Sequence, residues 1–600
     1  MTSRRNKDVK GNAVKQWTRS ALMAVVCFVA GPALASDAAK PSTGPVLDKP
    51  TLRSLGAYWI IKGDDNQNAT VRIDYRTAGG GEWRQGPLLF RVEKGAHKPK
   101  ENDSLLKLAD DETLLSASVL LLDPDTAYEL KLTLSDPDGG EATTKTLAAR
   151  TVAEPVAPSG PMYYVIPGDG GGTGAKNDPY KGLAAAEKNA RPGDTFLLAA
   201  GVYNGPVTLR KSGEPGKPIV FRGAGGGEAI IDGQGAAAER PGKAIEAVGL
   251  HDRWFEDLTI RNAKYAIVSH DTARLVLRRC RINGVDFGLT ATKNEKDAIN
   301  GYFITDNVME GPSTWPRAKG IEDARGVQLT GSGHVIAYNR IRAFADAIDT
   351  MPSQRCESID IHNNDVSEMT DDGIEADYAQ RNVRVFHNRL TNVFQGISTQ
   401  PVYGGPVYIF RNAMFNVSIE PFKMHNGPSG ALFLHNTSVK AGPAHVVMTP
   451  KPMSNMVSRN NLFVGTTAKV PVDFSIPATA CDFDYDGFAV NGSFSHFLNW
   501  NRGETYATFE EMRKRSPVWK NAVLVDGKTA FASGVTAPES DRKAIGIDAT
   551  DVRLSPKSAA VDAGQVLPGV NDGFSGAAPD LGAYEVGAPL PHYGPRSKQQ

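Results

Sequence analysis

Asp346, Asp349, Asp371, Asp372, Glu375, Arg325 and Lys423 are the side chains of this 600-residue chain with the types and spacing to do acid–base or metal chemistry. The words FADAID, MTDDGIE, VFQGIS and IEPFK each follow an asparagine at a similar interval, with one extra residue allowed in the second and fourth. Aligned, they make one column of Asp346, Asp372, Gln395 and Glu420, and another, three residues on, of Asp349, Glu375, Ser398 and Lys423. If consecutive words lie on neighbouring strands about 4.8 Å apart, the stacked carboxylates approach contact. At an effective dielectric of about 20 that repulsion is on the order of 3 kcal/mol per ionised pair. Either a cation sits between them, or they share protons as an acid and a base. The plainer alternative is carboxylates that point into solvent or serve as turn residues.

The ruler behind this alignment is a beat of asparagines. Asn339, Asn364, Asn388, Asn412, Asn436 and Asn461 are separated by 25, 24, 24, 24 and 25 residues, each within a short strand-like word such as IAYNRI, VFHNRL or FLHNTS. That period predicts a solenoid in which one repeat is one coil of a parallel β-helix. An inward Asn at the same corner of each coil can bond its neighbours above and below and satisfy buried backbone. Asn307 extends the beat backwards, and Cys280 stands where a further ladder Asn would be, which marks it as a buried coil residue. The insertion PSTWPRAKGIEDAR before Asn339 is expected to shape one groove wall.

Several segments carry family resemblances. Residues 51–152, ending YELKLTLSDPDGGEATTKT, resemble a fibronectin type III sandwich, and a Pro-rich linker, 153–160, follows. From Tyr163 onward the chain is similar to the opening of secreted right-handed parallel β-helix proteins of the pectate-lyase-like superfamily. The implied fold is all-β: a β-sandwich, then a right-handed parallel β-helix over 161–470, then a far cap over 471–600. A helix through LAAAEKNA, capped by Asp178 and Pro179, would plug the near end, and ETYATFEEMRKR predicts a second helix. The word DDGIE, one coil after Asp346, is similar to the calcium-binding pattern of family 9 pectate lyases. That resemblance implies calcium ligands at Asp346, Asp371, Asp372 and Glu375, with Glu where the family has Asp, a change calcium tolerates. It also implies a catalytic lysine, for which Lys423 occupies the matching face.

Composition excludes some functions and opens others. Lys plus Arg and Asp plus Glu balance at 67 each, so the overall field offers nothing for nucleic acid or an anionic membrane. Residues 1–35 read as an export signal, with basic residues, the run ALMAVVCFVAGPALA and a small-x-small site, so cleavage is expected after Ala35 and the mature chain should be secreted or periplasmic. No later stretch is long enough to span a membrane, and a monomer is expected. Cys280, Cys356 and Cys481 then remain, an odd number without a CxxC pair, and no Cys/His spacing suggests zinc.

Three functions follow. In a polysaccharide lyase, calcium neutralises a uronate carboxylate and a Lys423 of depressed pKa removes the C5 proton, while Arg325 holds a carboxylate or pairs with Asp346; an epimerase is its variant. In a glycoside hydrolase, Asp349 or Asp372 is the acid and a neighbouring carboxylate the base or nucleophile. In a glycan-binding solenoid, the acids are a structural calcium site. His425 reads as a turn residue, and His387 and His435 as coil-surface residues.

Overall fold

The computed structural model describes residues 37–597 apart from 97–105, 140–141, 236–241, 296, 319–321, 352–354 and 547–549. The leader read at 1–35 lies outside the described residues.

The alternating words between residues 55 and 150 form two antiparallel sheets around a core that includes Trp59, Val71, Leu130 and Leu132. One sheet holds Leu55–Lys62 and Glu112–Val119, the other Thr70–Thr77, Ala127–Ser135 and Thr143–Arg150. The short strands Lys40–Pro41 and Val46–Leu47 pair with Leu55–Lys62, so the sandwich begins before residue 51. The sandwich does not hang from its linker. Arg381 pairs with Asp48 at 2.9 Å, Arg384 donates to Ser118 at 3.0 Å, and the Tyr408 hydroxyl accepts from the Ser118 amide at 3.1 Å, so a buried polar seam docks it on the solenoid.

From Met162 to Ala489 the strands pair in parallel, coil on coil, mostly in two long sheets around one continuous apolar core. The asparagine beat is the corner of this stack. Each ladder Asn accepts through Oδ1 from the backbone amide and Nδ2 of the Asn one coil earlier, and its own Nδ2 donates to a carbonyl, as Asn388 does to Ile361 at 2.9 Å. The residue before each Asn is left-handed, with φ of 57° at Tyr338, 50° at His387 and 53° at His435, which turns the chain between strands. Cys280 opens the ladder, its amide donating to Asn307 at 2.9 Å, and burial pushes its thiol up to about 12. Replacing Asn388 with leucine should cost about 3 kcal/mol or more, because the Asn364 amide and the Ile361 carbonyl lose buried partners. Urea unfolding of the full chain reads this; a loss below about 1 kcal/mol would show that the ladder is dispensable.

Some expectations are corrected. The first helix is Leu183–Asn189, but Gly182 is its N-cap without a side-chain bond, and Tyr180–Lys181 is extended, so Asp178 and Pro179 do not cap it. It does pack into the solenoid core through Leu183 and Ala186, and its Glu187 meets the fully buried Arg253 at 3.0 Å. The second helix, Phe509–Arg515, is capped by Thr508, which accepts from the Glu511 amide. The coils run past residue 470: Asp486 takes the ladder position 25 residues after Asn461, and Gly487–Ala489 pairs with Leu462–Val464. Just after the second helix the chain does close the last coil, with Val518, Trp519 and Ala522 in the solenoid core and Val523–Leu524 paired to Gly487–Ala489, but beyond that it is not an end cap. It returns along the flank, where Phe531, Leu554 and Leu581 pack on Phe415 and Val439, Asn392 donates to Ile545, and Arg596 pairs with Asp306 at 2.8 Å. His435 is buried under this covering rather than on a coil surface, while His387 is half-buried and lines a cavity beside it, where desolvation pulls it down to about 3. Among the described residues, no helix is long and apolar enough to cross a membrane.

Candidate functional site

Five successive strands of one solenoid sheet carry the acids. Arg325–Leu329 pairs with Asp346–Thr350, setting Arg325 opposite Asp346 and Gln328 opposite Asp349. Asp346–Thr350 pairs with Asp365–Glu375, setting Asp349 opposite Glu375. Asp365–Glu375 then pairs with Arg389–Ser398, with Asp372 opposite Gln395 and Glu375 opposite Ser398, and Ser398 faces Lys423 on the short strand Phe422–Lys423. The two columns therefore stack in the register that the asparagine ruler set. Both extra residues are present, between Met369 and Asp372 and between Val417 and Phe422.

The first of them is chemically consequential. Neighbours in a regular strand point to opposite faces, but a bulge places two consecutive residues against one partner and re-aims a side chain. The break between Met369 and Asp372 thereby brings Asp371 and Asp372 together with Asp346, carboxylate oxygens of all three lying within 4.8 Å of one another. There the ladder uses a side chain: the Asp372 amide donates to Asp346 Oδ1 at 2.8 Å. Small residues follow the first column because a Cβ on Gly396 would collide with the Pro421 carbonyl.

Charges around the cluster are arranged asymmetrically. Arg325 reaches Asp346 at 3.2 Å, Asp349 at 3.3 Å and Asp323 at 2.7 Å, so its guanidinium is engaged by three carboxylates. Gln328 donates to Asp349 at 2.9 Å. Lys423 reaches across two coils and donates to Asp372 at 2.6 Å, with Glu375 at 4.0 Å. Burial alone would lower the Lys423 ammonium, but Asp372, Asp377 and Glu375 outweigh it and hold it above the usual lysine range. The expected depressed lysine is thus reversed here, because its partners are anionic. Burial, then the neighbouring acids, push Asp346 and Glu375 well above the carboxylate range, and burial raises Asp349 against the pull of Gln328 and Arg325.

The donor set fits a hard, oxygen-seeking cation. Asp372 Oδ1 is buried without a hydrogen-bond partner, Asp346 Oδ2 has only the Arg325 ion pair, and three carboxylates supply the charge that calcium sites use. Glu375 is not among the converging oxygens; its carboxyl bonds Asp349 instead. Sequence reasoning missed Arg317 and placed Asp377 on the flank of the same coil without giving it a role. Arg317, from the inserted loop, lies 3.3 Å from Asp371 and 4.4 Å from the centre of the Phe394 ring. Asp377 accepts from the Ser398 hydroxyl at 2.7 Å and the Gln400 amide at 2.6 Å, and burial raises it to about 8. The insertion signalled a wall but not which residue turns inward. His425 pairs with Glu420 at 3.0 Å, and the Met448 amide donates to the same carboxylate. A cavity of about 570 Å³ lies where sandwich, solenoid and returning chain meet, but none of these acids lines it; Asp346, Asp349, Asp371, Asp372 and Lys423 are all buried.

A carboxyl whose folded pKa is raised binds more protons folded than unfolded across the shifted window. For Asp377 that window runs from 3.8 to about 8, and Asp346 and Glu375 shift the same way. Stability from these groups is full below the unfolded value and falls as pH rises towards 8. In chelator, melting temperature should fall between pH 5 and pH 8, and added calcium should flatten the fall. A melting temperature that climbs over that range would count against the raised carboxyls.

The right-handed β-helix region family matches residues 249–400, the coils that carry most of this site. A Bacillus subtilis (strain 168) relative, the uncharacterized protein YwoF, is 34% identical over 106 residues, 17% of this chain and 23% of that protein, so the chain matches about a quarter of its length. Among solved structures, the pectate lyase Pel9A is 18% identical with a TM-score of 0.42, covering 71% of this chain and 96% of its own. A rhamnogalacturonan lyase is 14% identical with a TM-score of 0.31, over 66% and 97%. XylC in complex with xylose is 11% identical with a TM-score of 0.39, over 55% and 83%. At TM-scores below 0.5 these likenesses carry no weight beside the residues themselves.

Proposed function

We propose that this chain is a secreted, calcium-dependent polysaccharide lyase that cleaves a uronate-containing glycan by β-elimination. The observation that carries the reading is the convergence of Asp346, Asp371 and Asp372, one with an orphaned buried oxygen, on the face where Lys423 donates to Asp372. Calcium bound by these three carboxylates would supply positive charge to a substrate uronate and acidify its C5 hydrogen. Lys423 is the base on the same face. Its proton affinity is set by Asp372, Asp377 and Glu375, so neutralising Asp372 lowers it and frees the amine. The C5 proton passes to Lys423 Nζ, the C4–O bond breaks, a C4–C5 double bond forms, and the leaving oxygen takes a proton. Arg325 fixes Asp346 and Asp349 in register, and Arg317 steadies Asp371.

A hydrolase is the second reading, favoured by the stacked Asp349 and Glu375, two carboxyls that burial raises above the ordinary carboxylate value. Incubation with uronate-containing and neutral polysaccharides separates the two. The lyase produces ultraviolet absorbance from an unsaturated uronate and stops in chelator. New reducing ends without that absorbance, unaffected by chelator, would replace it with the hydrolase.

A further inference from the structure

The column that ends in Arg325 and Asp346 continues toward the N-terminal coils as Phe287, Tyr265 and Lys243. Their neighbours Ala263, Ile267, Val285 and Leu289 fill the solenoid core, whereas Tyr265 and Phe287 stay outside it, on the outward face. The two rings stack at 4.7 Å with an interplanar angle of 21°, and Lys264 Nζ lies 5.5 Å from the Tyr265 centroid. Tyr265 remains partly exposed, backed by Phe287, which is 4% exposed. The second column continues in the same direction, with Thr290 opposite Gln328 and Val268 opposite Thr290. Thr290 is 6% exposed, and its hydroxyl is buried without a hydrogen-bond partner. A buried, unpaired hydroxyl three residues along the strand from the stacked Phe287 is costly unless a polar group completes it.

The geometry points to a glycan subsite formed by Tyr265, Phe287, Thr290 and Lys264, which holds a sugar unit of an acidic polysaccharide two to three coils before the acid cluster. At about 4.8 Å per coil, Phe287 stands about 10 Å and Tyr265 about 14 Å from Asp346 along the axis. A pyranose presents an apolar C–H face that stacks on an aromatic ring and hydroxyls at its rim. Tyr265 supplies the ring, Thr290 a hydrogen-bonding hydroxyl, and Lys264 the charge that meets a carboxylate. The choice of an acidic glycan rests on the lyase reading; stacking itself does not. The chain therefore grips substrate beyond the bond it cleaves, and long polymers should be preferred to di- and trisaccharides.

Affinity electrophoresis in gels containing polygalacturonate, alginate or a neutral glucan, run in chelator so that the full chain and its Lys423→Ala form are compared without turnover, tests this. Retention by one of the acidic polymers is expected, weakened about tenfold in Tyr265→Ala, reduced in Thr290→Val and kept in Tyr265→Phe. Tyr265→Leu supplies the same loss of the ring with more bulk if the alanine form does not fold. Unchanged retention in both Tyr265→Ala and Tyr265→Leu, equal loss in Tyr265→Phe, or no retention of the unsubstituted chain would overturn the subsite. Retention with the expected losses, but no unsaturated product, would leave the subsite standing and remove the lyase.

Discussion

Lys423→Ala is expected to lower turnover of a uronate polysaccharide by about 10²- to 10⁴-fold, the range a positioned general base contributes. The side chain also balances charge: Nζ donates to Asp372, which is fully buried, so its loss leaves an uncompensated carboxylate and lowers melting temperature in chelator. Lys423→Arg separates the two roles. Arginine keeps the positive charge near Asp372 but does not give up a proton near neutral pH, so the fold should persist while turnover is lost. Calcium should restore the melting temperature of Lys423→Ala without restoring its activity, because the cation replaces the charge and not the base. Activity within threefold of the unsubstituted chain in both variants, on the same substrate, would assign the chemistry to the carboxylates and favour hydrolysis.

Arg384→Ala should destabilise the chain by about 3–5 kcal/mol, the cost of stranding one member of a buried ion pair. Arg384 and Asp360 are both fully buried and paired, and the guanidinium also reaches Ser118 at 3.0 Å, Ser358 at 3.2 Å and Thr51 at 3.3 Å. Ser118 and Thr51 belong to the sandwich, so one side chain couples the sandwich to the coils. The variant should therefore loosen the N-terminal unit first, seen as faster proteolysis within residues 37–152 alongside a lower denaturation midpoint. An apolar pair, Arg384→Met with Asp360→Leu, should recover most of the loss because no charge remains buried. A single-variant cost below about 1 kcal/mol would show that the seam contributes little to stability.

Much of this molecule was legible because solenoid coils translate sequence period into spatial neighbours. The ladder positions, the columns pairing Asp349 with Glu375 and Ser398 with Lys423, and Cys280 at the ladder's start all follow from one period plus strand spacing. Contacts that cross the repeat obey no period and were not legible. The Arg317 approach to Asp371 comes from an irregular loop, the return of residues 530–597 along the flank depends on apolar residues matching distant coils, and the sandwich seam joins Asp48 to Arg381 across the chain. The end of the coils was misplaced at 470 because Asp486 substitutes for Asn while still accepting the ladder bonds. Asp178 and Pro179 read as a helix cap, but the chain stays extended through Tyr180–Lys181 and starts the helix after Gly182.

The sequence by itself determined the parallel coil architecture and which acids share a column, since a fixed repeat leaves little freedom in neighbouring strands. Only the tertiary structure decided what those acids do to one another. The bulge before Asp372 drew three carboxylates together and turned Glu375 to Asp349, and two coils of distance proved short enough for Lys423 to reach Asp372. Side-chain direction and the sign of a lysine's pKa shift depend on ångström-scale placement of charge in a buried site, which no period encodes.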